Sequence, residues 1–366
     1  MATWDTVTIR TDAGESVSSQ APVIISASRA TDIPAFYSDW FMERLRKGYV
    51  KWVNPFNGVP LYVSFQKTRS IVFWSKNPAP LLKHMDELDA MGIHYYIQYT
   101  LNDYEEEGFE PSVPRLVQRI ETFQRLSERL GKARVVWRFD PLLITAQTPV
   151  ERLLEKVETV GNQLASYTEK LVFSFADIEA YRNVKRNLQS AHIDAREGTL
   201  EEKLALARGI VALNQRHGWG LSIATCAEEL DLMSLGIEHN RCIDDRLLMR
   251  CFSQDDALMR FLGFERDLFG DLQPIEKKVS KGDKGQRKAC GCIQSKDVGE
   301  YNTCPHQCVY CYANRTAEGA TRNAVCANLS KTQKSVLQVF HQGVYLKVQG
   351  WIIALKQLGD NHAIYP

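Results

Sequence analysis

Six short apolar runs, each closing in polar residues, alternate with amphipathic helical patterns, and this rhythm constrains the chain more than any other feature of its sequence. Residues 23–27, 70–74, 94–100, 134–139, 171–175 and 221–225 carry the β-branched and aromatic side chains of buried strands. Between them Phe36, Trp40, Phe41 and Leu45 recur at helical spacing, as do Leu81, Leu82, Met85 and Leu88. The pattern returns in Leu116, Val117, Ile120, Phe123 and Leu130, in Leu153, Leu154, Val157 and Leu164, and in Leu204, Leu206, Ile210 and Leu213. Gly48, Gly92, Gly131 and Gly218 stop four of these helices. The alternation predicts an α/β protein with a parallel (β/α) barrel, partial and of about six strands; a doubly wound open sheet is the alternative. The strands end in Ser28, Arg29 and Asp32; Lys76 and Asn77; Gln98 and Asn102; Arg138 and Asp140; Ser174 and Asp177; Cys226 and Glu228. A parallel barrel brings such ends to one mouth, where ligands bind.

The remaining stretches divide the chain. Residues 1–22 read as a polar lead-in with one short edge strand, and residues 23–275 as the barrel-like domain, with a hairpin inserted at residues 49–65 around Asn57-Gly58 and a mainly helical stretch at residues 243–269. Residues 276–289 form a basic linker, residues 290–323 a cysteine-rich segment, and residues 324–366 a tail of unassigned role. With 45 Lys and Arg against 44 Asp and Glu, the net charge of +1 argues against a surface that coats nucleic acid. Nine cysteines and no charged-then-apolar leader point to a reducing cytoplasm, and no apolar run reaches the length of a membrane span.

Three of those cysteines stand in Y-N-T-C-P-H-Q-C-V-Y-C-Y-A-N, residues 301–314, where Cys304, Cys308 and Cys311 read C-x3-C-x2-C. A loop this short can turn three soft thiolates towards one centre, which suits an iron-sulfur cluster. Three cysteines on a four-iron, four-sulfur (4Fe-4S) cluster leave one iron open to an outside ligand. The competing reading is a structural zinc knuckle with His306 or a distant cysteine as fourth ligand, although zinc sites usually pair cysteines at C-x2-C spacing.

The loop, with Tyr310 just before its last cysteine, resembles the radical S-adenosylmethionine enzymes. That resemblance implies that the open iron binds S-adenosylmethionine, that Tyr310 lies near the adenine, and that an electron donor drives formation of a 5'-deoxyadenosyl radical. The stretches S-A-S-R-A-T-D-I-P, F-W-S-K-N-P, W-R-F-D-P, A-T-C-A-E-E-L, G-I-E-H-N-R-C-I-D and the segment from Cys290 to the end of the cysteine loop are similar to the bacterial family catalogued as domain of unknown function 1848, over residues 23–314. F-W-S-K-N-P and R-F-D-P also resemble the spore photoproduct lyase-like branch of radical enzymes, and with the basic linker they point to a nucleotide or nucleic acid as substrate. Radical S-adenosylmethionine enzymes normally carry the cysteine loop after the first barrel strand. Here about three hundred residues precede it and no convincing strand leads into it, so the resemblance requires a circular permutation. The rival from another class is a non-catalytic nucleic-acid-binding or interaction protein with a structural zinc or iron-sulfur site.

Further candidates follow from the same resemblance. Cys226, Cys242, Cys290 and Cys292 are candidates for an auxiliary cluster, or else inert buried thiols. Arg138 and Asp140 suit a cofactor carboxylate and a ribose hydroxyl, or a rim ion pair. Asn314 suits cofactor support or a turn, and Lys76 and Asn77 suit substrate orientation or a solvated loop. Cys251 and Cys326 are bystanders.

Overall fold

A computed structural model describes residues 4–54, 57–275, 282–283 and 289–332, together with the backbone of short strands Gln338–Phe340, Gly343–Val348, Trp351–Leu355 and Ile364–Tyr365. Eight strands make one parallel sheet: β1 Ile24–Ala27, β2 Ser70–Ser75, β3 His94–Thr100, β4 Val135–Leu142, β5 Lys170–Phe175, β6 Ser222–Thr225, β7 Glu238–His239 and β8 Lys296–Asp297. Their spatial order is β7-β6-β5-β4-β3-β2-β1-β8, so chain neighbours are sheet neighbours until β8 returns beside β1. All six expected strands are present, but the sheet has eight. The two additions are two residues long, too short to show a periodicity. One of them, β8, lies just before the cysteine loop where the sequence suggests no strand. The sheet is open between β7 and β8; the Ile293 N–H donates to the Ile243 carbonyl (3.1 Å), joining the segments that follow β7 and precede β8.

Side chains alternate across a strand, and here the alternation separates two cores. Odd-numbered Ile25, Ile71, Phe73, Tyr95, Ile97, Val135, Trp137, Leu171 and Phe173 pack in the larger core with the connecting helices. These are α1 Ile33–Phe36, α2 Ser38–Lys47, α3 Met85–Ala90, α4 Leu116–Leu130, α5 Val150–Leu164, α6 Arg182–Ser190 and α7 Leu200–Arg216. Even-numbered Ile24, Val72, Tyr96, Val136 and Val172 pack in the second core against Leu247, Leu248 and Phe252 of α8 Asp245–Phe252 and Leu258, Met259 and Leu262 of α9 Asp256–Leu262. The two helices therefore cover the N-terminal half of the even-numbered face. Further along the strands the same parity presents Trp74, Arg138, Ser174 and Cys226, which face a cavity instead of a helix.

Local chemistry fixes the elements nearest that cavity. Asp32 caps α1 through the Ala35 N–H (2.9 Å) and Pro34 sits in its first turn. Phe41, Met42 and Leu45 bury one face of α2, which ends where Gly48 takes a φ of 78°. The lead-in is more ordered than its composition suggests: strands Thr6–Arg10 and Ser16–Gln20 pair as a hairpin and join the expected hairpin Tyr49–Val53/Pro60–Ser64 in a four-stranded sheet. Helix α6 lies between β5 and α7, and helix α10 Ala317–Thr332 follows the cysteine loop. Within the basic linker at residues 276–289 only residues 282–283 and 289 are described, so that reading lies almost wholly outside the described residues.

Candidate functional site

A cavity of about 480 Å³ lies at the C-terminal ends of the strands. Ser28 follows β1, Lys76 follows β2, Asp140 lies on β4, Ser174 lies on β5 and Cys226 follows β6, and all five line it. The C-terminal segment supplies the facing wall with Cys304, Cys308, Tyr310 and Cys311. The cysteine loop and the strand ends, from 78 (Cys226 to Cys304) to 276 (Ser28 to Cys304) residues apart in sequence, thus share one chamber.

Several backbone groups hold that loop in place. The Val309 N–H donates to the Phe109 carbonyl (3.0 Å), and Tyr37 donates its hydroxyl to the Thr303 carbonyl. From α6, Asn187 Nδ2 donates to the carbonyls of Cys311 (2.9 Å) and Asn314 (3.1 Å), while Asn183 Nδ2 reaches the Tyr312 carbonyl (2.9 Å). Asn314 is buried and donates to the Cys304 carbonyl (2.7 Å), closing the loop on itself without lining the cavity. Burial raises the thiols of Cys304, Cys308 and Cys311 above their ordinary range.

His306 is an anchor. Its Nε2 lies 2.8 Å from Asp32 Oδ2 and its Nδ1 3.3 Å from the Ser112 carbonyl oxygen, so both ring nitrogens face acceptors inside the protein. As placed, His306 ties the cysteine loop to Asp32 and to the Ser112 carbonyl. Asp32 also accepts from Ser75 Oγ (2.7 Å) and the Lys76 N–H (2.8 Å), tying β1, β2 and the loop together.

Tyr310 lines the cavity, yet its hydroxyl belongs to a buried charged network. It donates to Glu110 and accepts from Lys76 Nζ (3.1 Å) and Asn102 Nδ2 (3.0 Å). Glu110 pairs with Lys76 (2.7 Å) and with buried Arg119 (3.4 Å). Burial opposes its ionisation, but the two cations hold the Glu110 carboxyl below the usual carboxylate range. Sequence reading found Lys76 and missed Glu110 and Arg119, because a carboxylate in the polar loop before α4 and an arginine within that helix carry no distinguishing pattern. Asn77 forms a turn, accepting from the Ala79 N–H (3.4 Å), and does not line the cavity.

On the opposite wall Arg138 and Asp140 face each other in an ion pair, and Asp140 also accepts from Ser174. Burial disfavours its charge, but the Arg138 guanidinium and the Ser174 hydroxyl together keep the carboxyl below its ordinary range. Arg138 also contacts Gln98 Oε1 (3.2 Å) and Cys242 Sγ (3.1 Å). The Cys226 and Cys242 sulfurs are 3.4 Å apart, and both line the cavity with Cys290 and Cys292. Cys251 lies on α8 against the second core, and the Cys326 side chain is outside the described residues. Among the described residues no set of three or more His, Cys, Asp or Glu side chains is placed to hold a metal ion. Three polar atoms of the cavity wall are buried without a hydrogen-bond partner: Arg29 Nη2, Thr31 Oγ1 and Trp74 Nε1. Two guanidinium groups lie against the Trp74 ring, Arg29 at 5.1 Å and Arg138 at 5.2 Å.

Fold and site together define an α/β protein with a cysteine-lined chamber at the C-terminal edge of a parallel sheet. The chain belongs to the family described as "Domain of unknown function (DUF1848)", which matches residues 24–313 and so takes in all eight strands of the parallel sheet and the cysteine loop. No curated protein and no solved structure matches it. No helix among the described residues is long and apolar enough to cross a membrane.

Proposed function

We propose that the protein is a radical S-adenosylmethionine-type iron-sulfur enzyme on a partial (β/α) barrel, with Cys304, Cys308 and Cys311 holding a 4Fe-4S cluster at the mouth of the strands. The observation that carries this reading is that all three thiols of one C-x3-C-x2-C loop face the chamber formed by the strand ends. When bound, the cluster supplies an electron to the sulfonium of S-adenosylmethionine and so starts hydrogen abstraction from a substrate. Such a cluster carries its thiolates on separate irons, so its ligands need not converge on one point as a single ion requires.

Strand order supports the same reading. The loop follows β8, and β8 lies beside β1, so in space the loop follows the strand that precedes the other barrel strands. A chain reopened after that unit gives this arrangement, which is the permutation the resemblance requires.

The chain's own residues then bind and orient. Arg29 Nη2, Thr31 Oγ1 and Trp74 Nε1 have unmet hydrogen-bonding capacity suited to a polar ligand such as S-adenosylmethionine. Tyr310, fixed through Glu110, Lys76 and Asn102, presents its ring to the chamber. Arg138 and Asp140 are turned on each other and shape the wall more than they offer free groups. The substrate class proposed is a nucleotide or nucleic acid: Tyr181, Tyr301 and Tyr312 line the chamber, and Tyr301 and Tyr312 are exposed, offering faces on which bases stack.

The test is electron paramagnetic resonance on anaerobically purified, reduced protein with and without S-adenosylmethionine. A cluster signal that S-adenosylmethionine alters is expected. Zinc-loaded protein without a cluster signal, or a signal indifferent to S-adenosylmethionine, would favour a non-catalytic protein with a structural metal.

A further inference from the structure

Four thiols outside the C-x3-C-x2-C loop touch one another in a file, although the sequence scatters them over three stretches. Cys226 follows β6, Cys242 lies between β7 and α8, and Cys290 and Cys292 precede β8. The Cys226 and Cys242 sulfurs are 3.4 Å apart, and the Cys292 thiol is in hydrogen-bonding contact with those of both Cys242 and Cys290. The contacts therefore run from Cys290 to Cys292 to Cys242 to Cys226, and every member lines the chamber. The two in the middle are buried and the two at the ends half-buried.

The backbone sets this file. The Ile293 N–H donates to the Ile243 carbonyl (3.1 Å), which puts Cys292 beside Cys242. Between Cys290 and Cys292, Gly291 packs so closely that a Cβ there would lie 2.9 Å from Arg241 Cγ and 3.4 Å from the Asn240 carbonyl oxygen. The glycine of C-G-C thus lets the segment that carries two thiols lie against the segment that carries Cys242.

Sulfurs in contact are one short movement from a bond, since a disulfide closes at about 2.0 Å. Exchange proceeds by attack of a thiolate on a neighbouring disulfide sulfur, so a file of touching thiols can hand a disulfide from one end to the other. The ends differ in the direction this needs. Contact with Cys292 holds the Cys290 thiol below its ordinary range against the effect of burial, whereas contact with Cys242, together with burial, raises that of Cys226. A low thiol attacks readily, and a high one keeps the disulfide once it is made, because its thiolate is the poorer leaving group.

The two middle thiols must each become a thiolate to attack. Contacts along the file pull them both ways and burial leaves them above their ordinary range, an effect that nearby donors oppose. Arg138 Nη1 reaches Cys242 Sγ at 3.1 Å, Asn240 Nδ2 reaches it at 3.2 Å, and the Ile243 N–H reaches Cys292 Sγ at 3.3 Å. A chamber of about 480 Å³ admits a small molecule and no folded partner.

We propose that Cys290, Cys292, Cys242 and Cys226 form a thiol relay that reduces a small-molecule disulfide, with Cys290 as the point of attack and a Cys226–Cys242 disulfide as the product left in the protein. The Cys290 thiolate attacks one sulfur of the incoming disulfide, whose S–S bond breaks and releases one small thiol. Cys292 attacks the Cys290 sulfur of the mixed disulfide and releases the second small thiol. Cys242 then attacks Cys292 and frees Cys290, and Cys226 attacks Cys242 and frees Cys292. Two electrons pass from Cys226 and Cys242 to the small disulfide, and the two protons they lose end on the two small thiols. A dithiol from solution restores the pair by the same exchange in reverse. None of these steps uses the cysteine loop or rests on the radical reading.

For the test, reduced, anaerobically prepared protein is mixed with one equivalent of bis(2-hydroxyethyl) disulfide, quenched in acid at intervals, alkylated and digested with trypsin. Cleavage after Arg241 puts Cys226 and Cys242 on separate peptides, while Cys290 and Cys292 share the peptide that ends at Lys296, so mass spectrometry reads each species. A 2-hydroxyethyl thiol adduct on Cys290, followed by a Cys226–Cys242 cross-link, is the result expected of the wild type. In Cys290→Ser the cross-link should form slower by about tenfold or more. The order of appearance in the wild type carries the test if the variant fails to fold. The proposal is overturned if Cys226 and Cys242 do not cross-link, as when a bound metal shields the four thiols, if their cross-link precedes any adduct on Cys290, or if it forms at the wild-type rate in Cys290→Ser. Such a failure leaves the response of the loop to S-adenosylmethionine untouched, so the two proposals fail separately.

Discussion

At the scale of single residues, Glu110 is the group whose loss the chamber tolerates least. It is buried and neutralises Lys76 and Arg119, so Glu110→Ala strands two cations. A loss of about 3–5 kcal/mol is expected in denaturant unfolding, as for other broken buried pairs. Tyr310→Phe removes one hydroxyl from the same network and should cost about 1–2 kcal/mol. His306→Asn separates anchor from ligand: iron content should match the wild type, whereas Cys304→Ser should lose the iron of the loop; equal loss in both would make His306 a ligand after all. Cys304, Cys308 and Cys311 were legible as a chamber-lining group because they stand together in one short loop. Glu110 was not, because its partners Lys76, Arg119 and Tyr310 reach it only through the fold.

At the scale of elements, α9 depends on Asp255, which caps it through the Leu258 N–H (2.9 Å) and pairs with Arg69 (2.6 Å) and His94 (3.0 Å). Burial opposes its charge, yet Arg69 and the cap hold the carboxyl below its ordinary value of 3.8. A depressed pKa places its contribution above that value and withdraws it as pH falls through the folded-state pKa. Asp255→Asn should therefore unfold at lower temperature than the wild type at neutral pH, by about 1–2 kcal/mol, and the gap should close in strong acid. A gap that widened in acid would contradict the assignment. The join of β8 to β1 rests on Asp297, which accepts from Ser26 Oγ (2.8 Å), Ser28 Oγ (2.6 Å) and the Arg29 N–H (2.8 Å). Gly299 lies so near that an added Cβ would fall 1.9 Å from Ser28 Oγ, so Gly299→Ala should destabilise by about 1–3 kcal/mol, measurable as a lower melting temperature. The six longer strands were legible because each is an apolar run with a helix after it. β7 and β8 were not, since two residues define no period and their pairing is set by neighbours far away in sequence.

At the scale of the whole molecule, one arrangement joins these observations: a sequential parallel sheet whose last strand returns beside its first and delivers a cysteine loop to the chamber at the strand ends. Strand–helix alternation told of a parallel sheet, and the cysteine spacing marked out the loop proposed to hold a cluster. Their meeting could not be read from sequence, because β8, the element that brings them together, leaves almost no trace there. The central claim is tested most directly by incubating reduced, anaerobically prepared protein with S-adenosylmethionine and measuring 5'-deoxyadenosine. Formation of 5'-deoxyadenosine by the wild type, and none by Cys304→Ala/Cys308→Ala/Cys311→Ala, is the result predicted; a cluster-loaded wild type that leaves S-adenosylmethionine intact would contradict it.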